Sequence, residues 1–320
     1  MKATAIAPAN IAFIKYWGKK DEQLRLPLNS SLSMNLSGSY TMTTVEFSPV
    51  FTRDSVEMYD GRFSAEEVAR VITSIDLIRK QSQVPHRVRV VTKNTFPKGA
   101  GAAASASGFA ALTVAGFAAA GSHLSENELS RFARLGSGSA CRSIPDGFVF
   151  WEDEYAYSLY PPSYWDIRDA LVIVDSSMKK VSTSRGMEDI QTSPKLPERL
   201  RRIPERILGL KKALAKKNFM AFGEITEEDC LDMHAVMQSQ VPPLNYWNDA
   251  TVHIMNAVRE WRKKGVAAYF TIDAGPNVHI IYEGNNEEAI MLMLQALQGV
   301  QSIIVNTVAP GAHNIDTHLF

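Results

Sequence analysis

The chain has 320 residues, with 34 Lys and Arg against 34 Asp and Glu, so its formal charge is zero. That balance argues against a general nucleic-acid or polyanion binder, which carries a basic surplus, and it leaves room for one small anion pocket. The length and the 45% hydrophobic content fit one large domain or two closely packed ones, and the two distant cysteines, Cys141 and Cys230, predict a reducing compartment rather than a disulfide framework.

The N-terminus lacks a long apolar core and reads as a strand over 2–7. A second strand is predicted over 40–49, with 54–58 pairing to it through the turn Tyr59-Asp60-Gly61. Ser64 then caps a helix with Val68, Val71, Ile72 and Ile75 on one face. Residues 87–93 alternate polar and apolar and predict a strand. A loop of small residues and a helix over 109–120 follow, and Ser125 with Glu128 is a capping-box signature for the next helix. Three strand-like runs fill 147–175. Residues 195–239 read as two long helices and 248–264 as a third, followed by strands at 267–273 and 277–282, a helix at 285–298 and a strand at 302–308. The fold class is α+β, with a boundary expected near 180–190. The longest weakly polar run, around 108–121, is too short to span a bilayer, so a soluble cytoplasmic protein is expected.

Five segments carry chemistry. In Asn94–Gly108 every residue from Gly99 onward is Gly, Ala or Ser. Placed between a strand and a helix, such a run lets backbone N–H groups approach a phosphate, with Lys98, Ser105 and Ser107 adding charge and hydroxyls. A tight turn with close helix packing explains the same run. Neither the Walker nor the Rossmann glycine pattern is present. Asn10–Lys20 holds Lys15, Lys19 and Lys20 without an acid, which suits phosphate or a solvated edge strand. Gly136–Arg142 sets Ser137, Ser139 and Arg142 within six residues, fitting a carboxylate or phosphate, or simply a helix end. Cys141 reads as a small buried residue rather than a nucleophile. Lys179–Met187 brings basic and hydroxyl residues after a strand, and Asp273–Asn277 is either a turn or an acid facing a basic pocket. No histidine spacing suggests zinc, and Glu224–Asp232 reads as a solvated acidic helix face rather than a Mg²⁺ site.

In this order, the segments NIAFIKYWGK, Asn94–Gly108, GSGSACR, Lys179–Met187 and DAGPN resemble the mevalonate diphosphate decarboxylase family of the GHMP kinase superfamily across essentially the whole chain. The resemblance implies a GHMP kinase fold. Its N-terminal lobe (1–185) would be like ribosomal protein S5 domain 2 and carry the ATP-phosphate loop. The C-terminal GHMP lobe (186–320) would carry the catalytic Asp. It implies that ATP phosphorylates the 3-hydroxyl of 5-diphosphomevalonate, and that loss of phosphate and CO2 gives isopentenyl diphosphate. By position, Asp273 matches the catalytic Asp, Lys15 the lysine beside that hydroxyl, and Arg142 with Ser137 the substrate carboxylate site. Tyr16, Lys19, Ser139, Ser182, Thr183 and Arg185 match the diphosphate end. Asn94, Lys98, Gly99, Gly101, Ser105 and Ser107 match the ATP-phosphate loop. Mg²⁺ is expected with the nucleotide, a homodimer is a family expectation, and neither nucleic acid nor membrane is an expected partner. Asp146, beside an anion pocket, is expected to point outward or to be paired. Two alternatives stay open: a 5-phosphomevalonate decarboxylase giving isopentenyl phosphate, and a GHMP small-molecule kinase without decarboxylation.

The four anion-type segments hold eight Lys and Arg and no Asp or Glu. Taking these eight from 34 leaves 26 basic against 34 acidic residues elsewhere. The neutral total therefore reads as a basic pocket inside a mildly acidic body.

Overall fold

The computed structural model describes residues 1–96, 104–175, 177 and 181–320. Strand β1 (Lys2–Ile14) is buried on both faces from Ala7 to Ile14, which is why it reads as a continuous apolar run broken only by Asn10. A small hairpin, β2 (Lys19–Asp21) and β3 (Leu26–Pro27), leads to the long strand β4 (Ser31–Ser48), antiparallel to β1. The register shifts beside Pro8, where the chain has no N–H to give to the ladder.

Next come β5 (Ser55–Met58), α1 (Ala65–Ser82) and β6 (Arg87–Asn94). The expected pairing of 54–58 with 40–49 is corrected here. Strand β6 occupies the edge of β4, and β5 lies outside it, parallel to β6. Parallel strands need a crossover, and α1 supplies it. Helix α2 (Ala104–Ala119) starts five residues earlier than expected and α3 is Glu126–Gly136. Both predicted capping boxes are formed, Ser64 with Glu67 at α1 and Ser125 with Glu128 at α3. Helix α2 is apolar all round because it lies sunk against β1 and β4.

A 3₁₀ turn (Gly138–Ser143) precedes β7 (Phe148–Glu152), β8 (Tyr155–Tyr160) and β9 (Ile167–Ile173). The rest comprises α4 (Thr183–Gly186), α5 (Leu196–Ala215), α6 (Phe219–Ser239), α7 (Asp249–Lys263), β10 (Tyr269–Thr271), β11 (Val278–Glu283), α8 (Glu287–Gln295), β12 (Ser302–Thr307) and β13 (His313–Ile315).

Among the described residues, one sheet runs β13-β1-β4-β6-β5, with β7 on the far end of β4 and β8 on β7. A second runs β10-β11-β9-β12. Residues 167–173, ahead of the expected boundary at 185, thus pair in the second sheet, and 313–315, far beyond it, pair in the first. The lobes are divided by sheet pairing, not by one cut in the sequence. A shared core joins them: Phe13, Leu32 and Phe150 pack with Leu171, Phe222, Ile254 and Phe270. The ends of β1 and β10 meet over this core, which brings positions 15 and 273 together.

The acidic stretch 224–232 is also corrected. Asp229 is fully buried, and Glu227 is nearly so, gripped by both terminal nitrogens of Arg262 (2.8 and 2.9 Å). Glu227 and Asp229, two positions apart, face opposite sides of α6, and both sides are packed, so these two acids are spent on Arg262 and Arg199, while Glu224 and Glu228 stay exposed. Asp146 behaves as expected. It is exposed, and its carboxylate accepts the Gly311 N–H (2.6 Å).

Candidate active site

A cleft of about 510 Å³ opens where β1, α1, α2, the Gly138–Ser143 turn, α4 and the β10–β11 loop converge. Its centre is the pair formed by Lys15 Nζ and Asp273 Oδ1, 2.5 Å apart. The Lys15 side chain is 2% exposed and that of Asp273 24%, so the ammonium is sunk and the carboxylate reaches the cleft. Burial acts to raise the Asp273 carboxyl. Lys15 foremost, then His279 and Arg142, more than offset it, and the group stays below its ordinary value. Asp273 is therefore ionised at neutral pH.

Arg142 is equally buried. Its Nε and one terminal nitrogen donate to Asn10 Oδ1 (3.0 and 2.8 Å), and the other donates to Ser31 Oγ (2.8 Å). Neither partner is charged, so the guanidinium charge stays available to a ligand in the cleft. Asn10 Nδ2 also donates to Ser143 Oγ (2.8 Å) and the Ser139 carbonyl (3.2 Å), so one asparagine locks both the arginine and its turn. Tyr16 stacks edge-on against Trp151 and lies over Gly138, and burial pushes its phenol far up. A Cβ at Gly138 would sit 2.7 Å from the Tyr16 hydroxyl, so that close approach requires glycine.

Lys15, Tyr16, Lys19, Asn94, Ser105, Ser137, Ser139, Arg142, Ser182, Thr183 and Asp273 all line the cleft. Ser105 and Ser137 hydroxyls are 3.2 Å apart, and Lys19 pairs with Glu22. Two expected site residues do not line it. Ser107 is fully buried and bonds Thr41 Oγ1 (2.7 Å), because its position on α2 faces the sheet. Arg185 is turned out and pairs with Glu188, while Ser182 caps the short helix it stands on. Lys98, Gly99 and Gly101 lie outside the described residues, as do Lys179 and Lys180.

Sequence reasoning missed the far end of the cleft, where Met58, Phe63, Val71, Phe109 and Leu112 form an apolar wall flanked by Arg25 and Arg70. Arg70 donates to the Gly136 carbonyl (3.1 Å) and lies over the Phe109 ring. A basic residue in the gap of an amphipathic helix was its only signal. Asn10 was missed as the support of Arg142 because a buried asparagine inside a strand has no spacing signature. The two cysteines are inert, burial pushing Cys141 up to about 12 and Cys230 to about 11. Among the described residues no three His, Cys, Asp or Glu side chains form a metal cage. The Ser105 hydroxyl lines the cleft and is an oxygen that fits a divalent ion bound together with phosphate.

Residues 7–158 match the diphosphomevalonate decarboxylase-like N-terminal domain, and 170–316 match the mevalonate 5-diphosphate decarboxylase C-terminal domain. The diphosphomevalonate decarboxylase of Candida albicans is 33% identical over 97% of this chain and 96% of its own. A solved mevalonate diphosphate decarboxylase from Staphylococcus aureus superposes with a TM-score of 0.94 at 36% identity, over 98% of each chain. Another solved structure, "MDDEF in complex with MVAPP, AMPPCP and Magnesium", gives 0.92 at 35% identity over 99% of each. This likeness bears out the two-lobed GHMP kinase fold. With both halves matched in order around the Lys15–Asp273 cleft, the chain belongs to the diphosphomevalonate decarboxylase family.

Proposed function

We infer that this protein catalyses the ATP-dependent decarboxylation of (R)-5-diphosphomevalonate to isopentenyl diphosphate, ADP, phosphate and CO2, a step of isoprenoid biosynthesis by the mevalonate route. The observation that carries this reading is the Lys15–Asp273 pair, 2.5 Å apart, in one cleft with Arg142 and the hydroxyls of Ser105, Ser137, Ser139 and Ser182. Asp273 accepts a hydrogen bond from the substrate 3-hydroxyl and aims its oxygen at the γ-phosphorus of ATP. In a loose phosphoryl transfer this positioning matters more than early deprotonation, so an ionised, weakly basic carboxylate suits the task. Lys15 holds that carboxylate in place and opposes the charge that gathers around the transferred group.

Arg142, anchored by Asn10 and Ser31, holds the substrate carboxylate across from the C3 oxygen. The C1–C2 bonding pair then becomes the C2=C3 double bond as the C3–O bond breaks, releasing CO2 and phosphate. Tyr16, Lys19, Ser139, Ser182 and Thr183 receive the diphosphate end, and Ser105 the ATP phosphates. Mg²⁺ bound with ATP would neutralise phosphate charge, and the Ser105 hydroxyl would help to hold it. The placement of Arg185 outside the cleft wall supports keeping 5-phosphomevalonate as a second reading. Among the described residues no helix is long and apolar enough to cross a membrane, which fits a cytoplasmic location, and a homodimer is the assembly expected of the family.

Incubation with ATP, Mg²⁺ and 5-diphosphomevalonate should release CO2 and isopentenyl diphosphate in equal amounts. A stable phosphorylated product without CO2 would make the protein a plain kinase, and a higher kcat/KM on 5-phosphomevalonate would assign the monophosphate.

A further inference from the structure

Helix α6 touches the main chain of both segments that carry the catalytic pair. Asp229 Oδ2 accepts the Lys15 N–H (2.7 Å). One position on, Cys230 Sγ accepts the Ile272 N–H (3.1 Å), and four residues further His234 Nε2 donates to the Ile272 carbonyl (3.3 Å). Burial lowers His234 to about 3, so it stays neutral and keeps this donor role at working pH. From α5, Arg199 donates to the Lys15 carbonyl (3.2 Å) and to Asp229 Oδ2 (3.1 Å). Arg199 and Asp229 are 1% and 0% exposed, and Asp232 with Arg206 extends the cluster outward.

A fully buried ion pair is a poor way to gain stability, since well-packed apolar residues serve as well or better. This one gives one carboxylate oxygen to the Lys15 N–H and one guanidinium nitrogen to the Lys15 carbonyl. We propose that Asp229 and Arg199 are positioning residues for the inferred decarboxylation: with Cys230 and His234 they tie the ends of β1 and β10 to one helix and so set the Lys15–Asp273 approach. None of the four lines the cleft, so they act through Lys15 and Asp273 rather than on the substrate.

The proposal rests on the decarboxylase reading, and the test separates the two. The double variant Arg199→Met with Asp229→Leu removes the pair without leaving a buried charge. Its kcat for CO2 release should fall about 100-fold, the loss expected from displacing a reacting group by about 1 Å. Its KM for both substrates should stay within about twofold, since groups outside the cleft supply no ground-state binding. The acid limb of its kcat–pH profile should move to higher pH, because a displaced Lys15 holds Asp273 down less well. The other charged or titratable groups facing Asp273 are Arg142, His279 and His234; the variant leaves Arg142 and His279 alone and removes the Arg199 charge from beside His234, which burial keeps neutral. Asp229→Asn keeps an oxygen for the Lys15 N–H but loses the charge that holds Arg199, so its kcat should fall about three- to tenfold, less than in the double variant.

A folded double variant with wild-type kcat and acid limb would overturn the positioning role, as would a loss that tracks only the folded fraction seen by circular dichroism. Should the double variant not fold, Asp229→Asn decides. A kcat loss with unchanged KM supports the proposal, and unchanged kcat or a pure KM effect overturns it. A wild-type protein that releases no CO2 refutes the functional reading instead.

Discussion

Replacing Lys15 with Met removes the cation from the centre of the site while nearly preserving side-chain volume. The Nζ–Oδ1 separation of 2.5 Å sets a ceiling of about 7 kcal/mol for the attraction at an effective dielectric of 20. Desolvation of the ammonium offsets much of that, and deleting one partner of a buried pair typically costs about 3–5 kcal/mol. Asp273 keeps 24% of its surface in water, which places the expected loss at the lower end, about 3 kcal/mol. For a chain of 320 residues that is a fall of about 4–5 °C in Tm.

The pH dependence has a defined sign. Asp273 is depressed in the folded state, so its stabilisation is present above its unfolded pKa and lost as pH falls through the folded value. The Tm gap between wild type and Lys15→Met should therefore be full at pH 7 and shrink in acid below pH about 4. Calorimetry across pH 3–7 measures it. The same variant should lose about 100-fold or more in kcat for CO2 release, because Asp273 loses the group that aims it. A Tm gap that does not change with pH, or a kcat near wild type, would refute the assignment of Lys15 as the partner that holds Asp273 ionised and in place.

Arg142→Gln should raise KM for the diphosphomevalonate substrate about 10- to 100-fold, the worth of one or two charge-assisted hydrogen bonds, with ATP-analogue binding by calorimetry unchanged. Asn10→Ala should cost about 3 kcal/mol of stability in urea titrations, because it strips two acceptor contacts from a buried guanidinium. Gly138→Ala should lose about 1–3 kcal/mol and weaken substrate binding, since the new methyl group displaces Tyr16. Neither cysteine of the native protein should react with a thiol reagent at pH 8, and both should react after denaturation, as burial holds their thiols protonated.

The elements legible in the chain are those governed by neighbours a few residues apart. Ser64 with Glu67 and Ser125 with Glu128 close hydrogen bonds across three positions, so both helix starts appear in the sequence and in the fold. Motif order likewise pointed to the family and to most of the cleft, because each segment carries its own charges and hydroxyls into it. The compensated charge was readable in part: Lys15, Lys19 and Arg142 line the cleft of a neutral chain, whereas Lys20 and Arg185 pair at the surface and Arg25 and Arg70 come from segments that gave no such signal.

What pairs across long separations was not legible. That β6 lies between β4 and β5 depends on which strand edge remains open after α1 crosses over, and no local pattern encodes that. The neighbouring hydroxyls of Ser105 and Ser107 look alike in sequence, yet helix packing turns Ser107 into the sheet. Asp229 looked like any acid on a helix until tertiary packing buried it against Arg199 and the main chain of Lys15, 214 residues away. The chain's local hydrogen bonding and composition set its helices and its store of charge. Only the close packing of two sheets on one core brought Lys15 within reach of Asp273, 258 residues on, because burial, unlike capping, is a property of the whole fold.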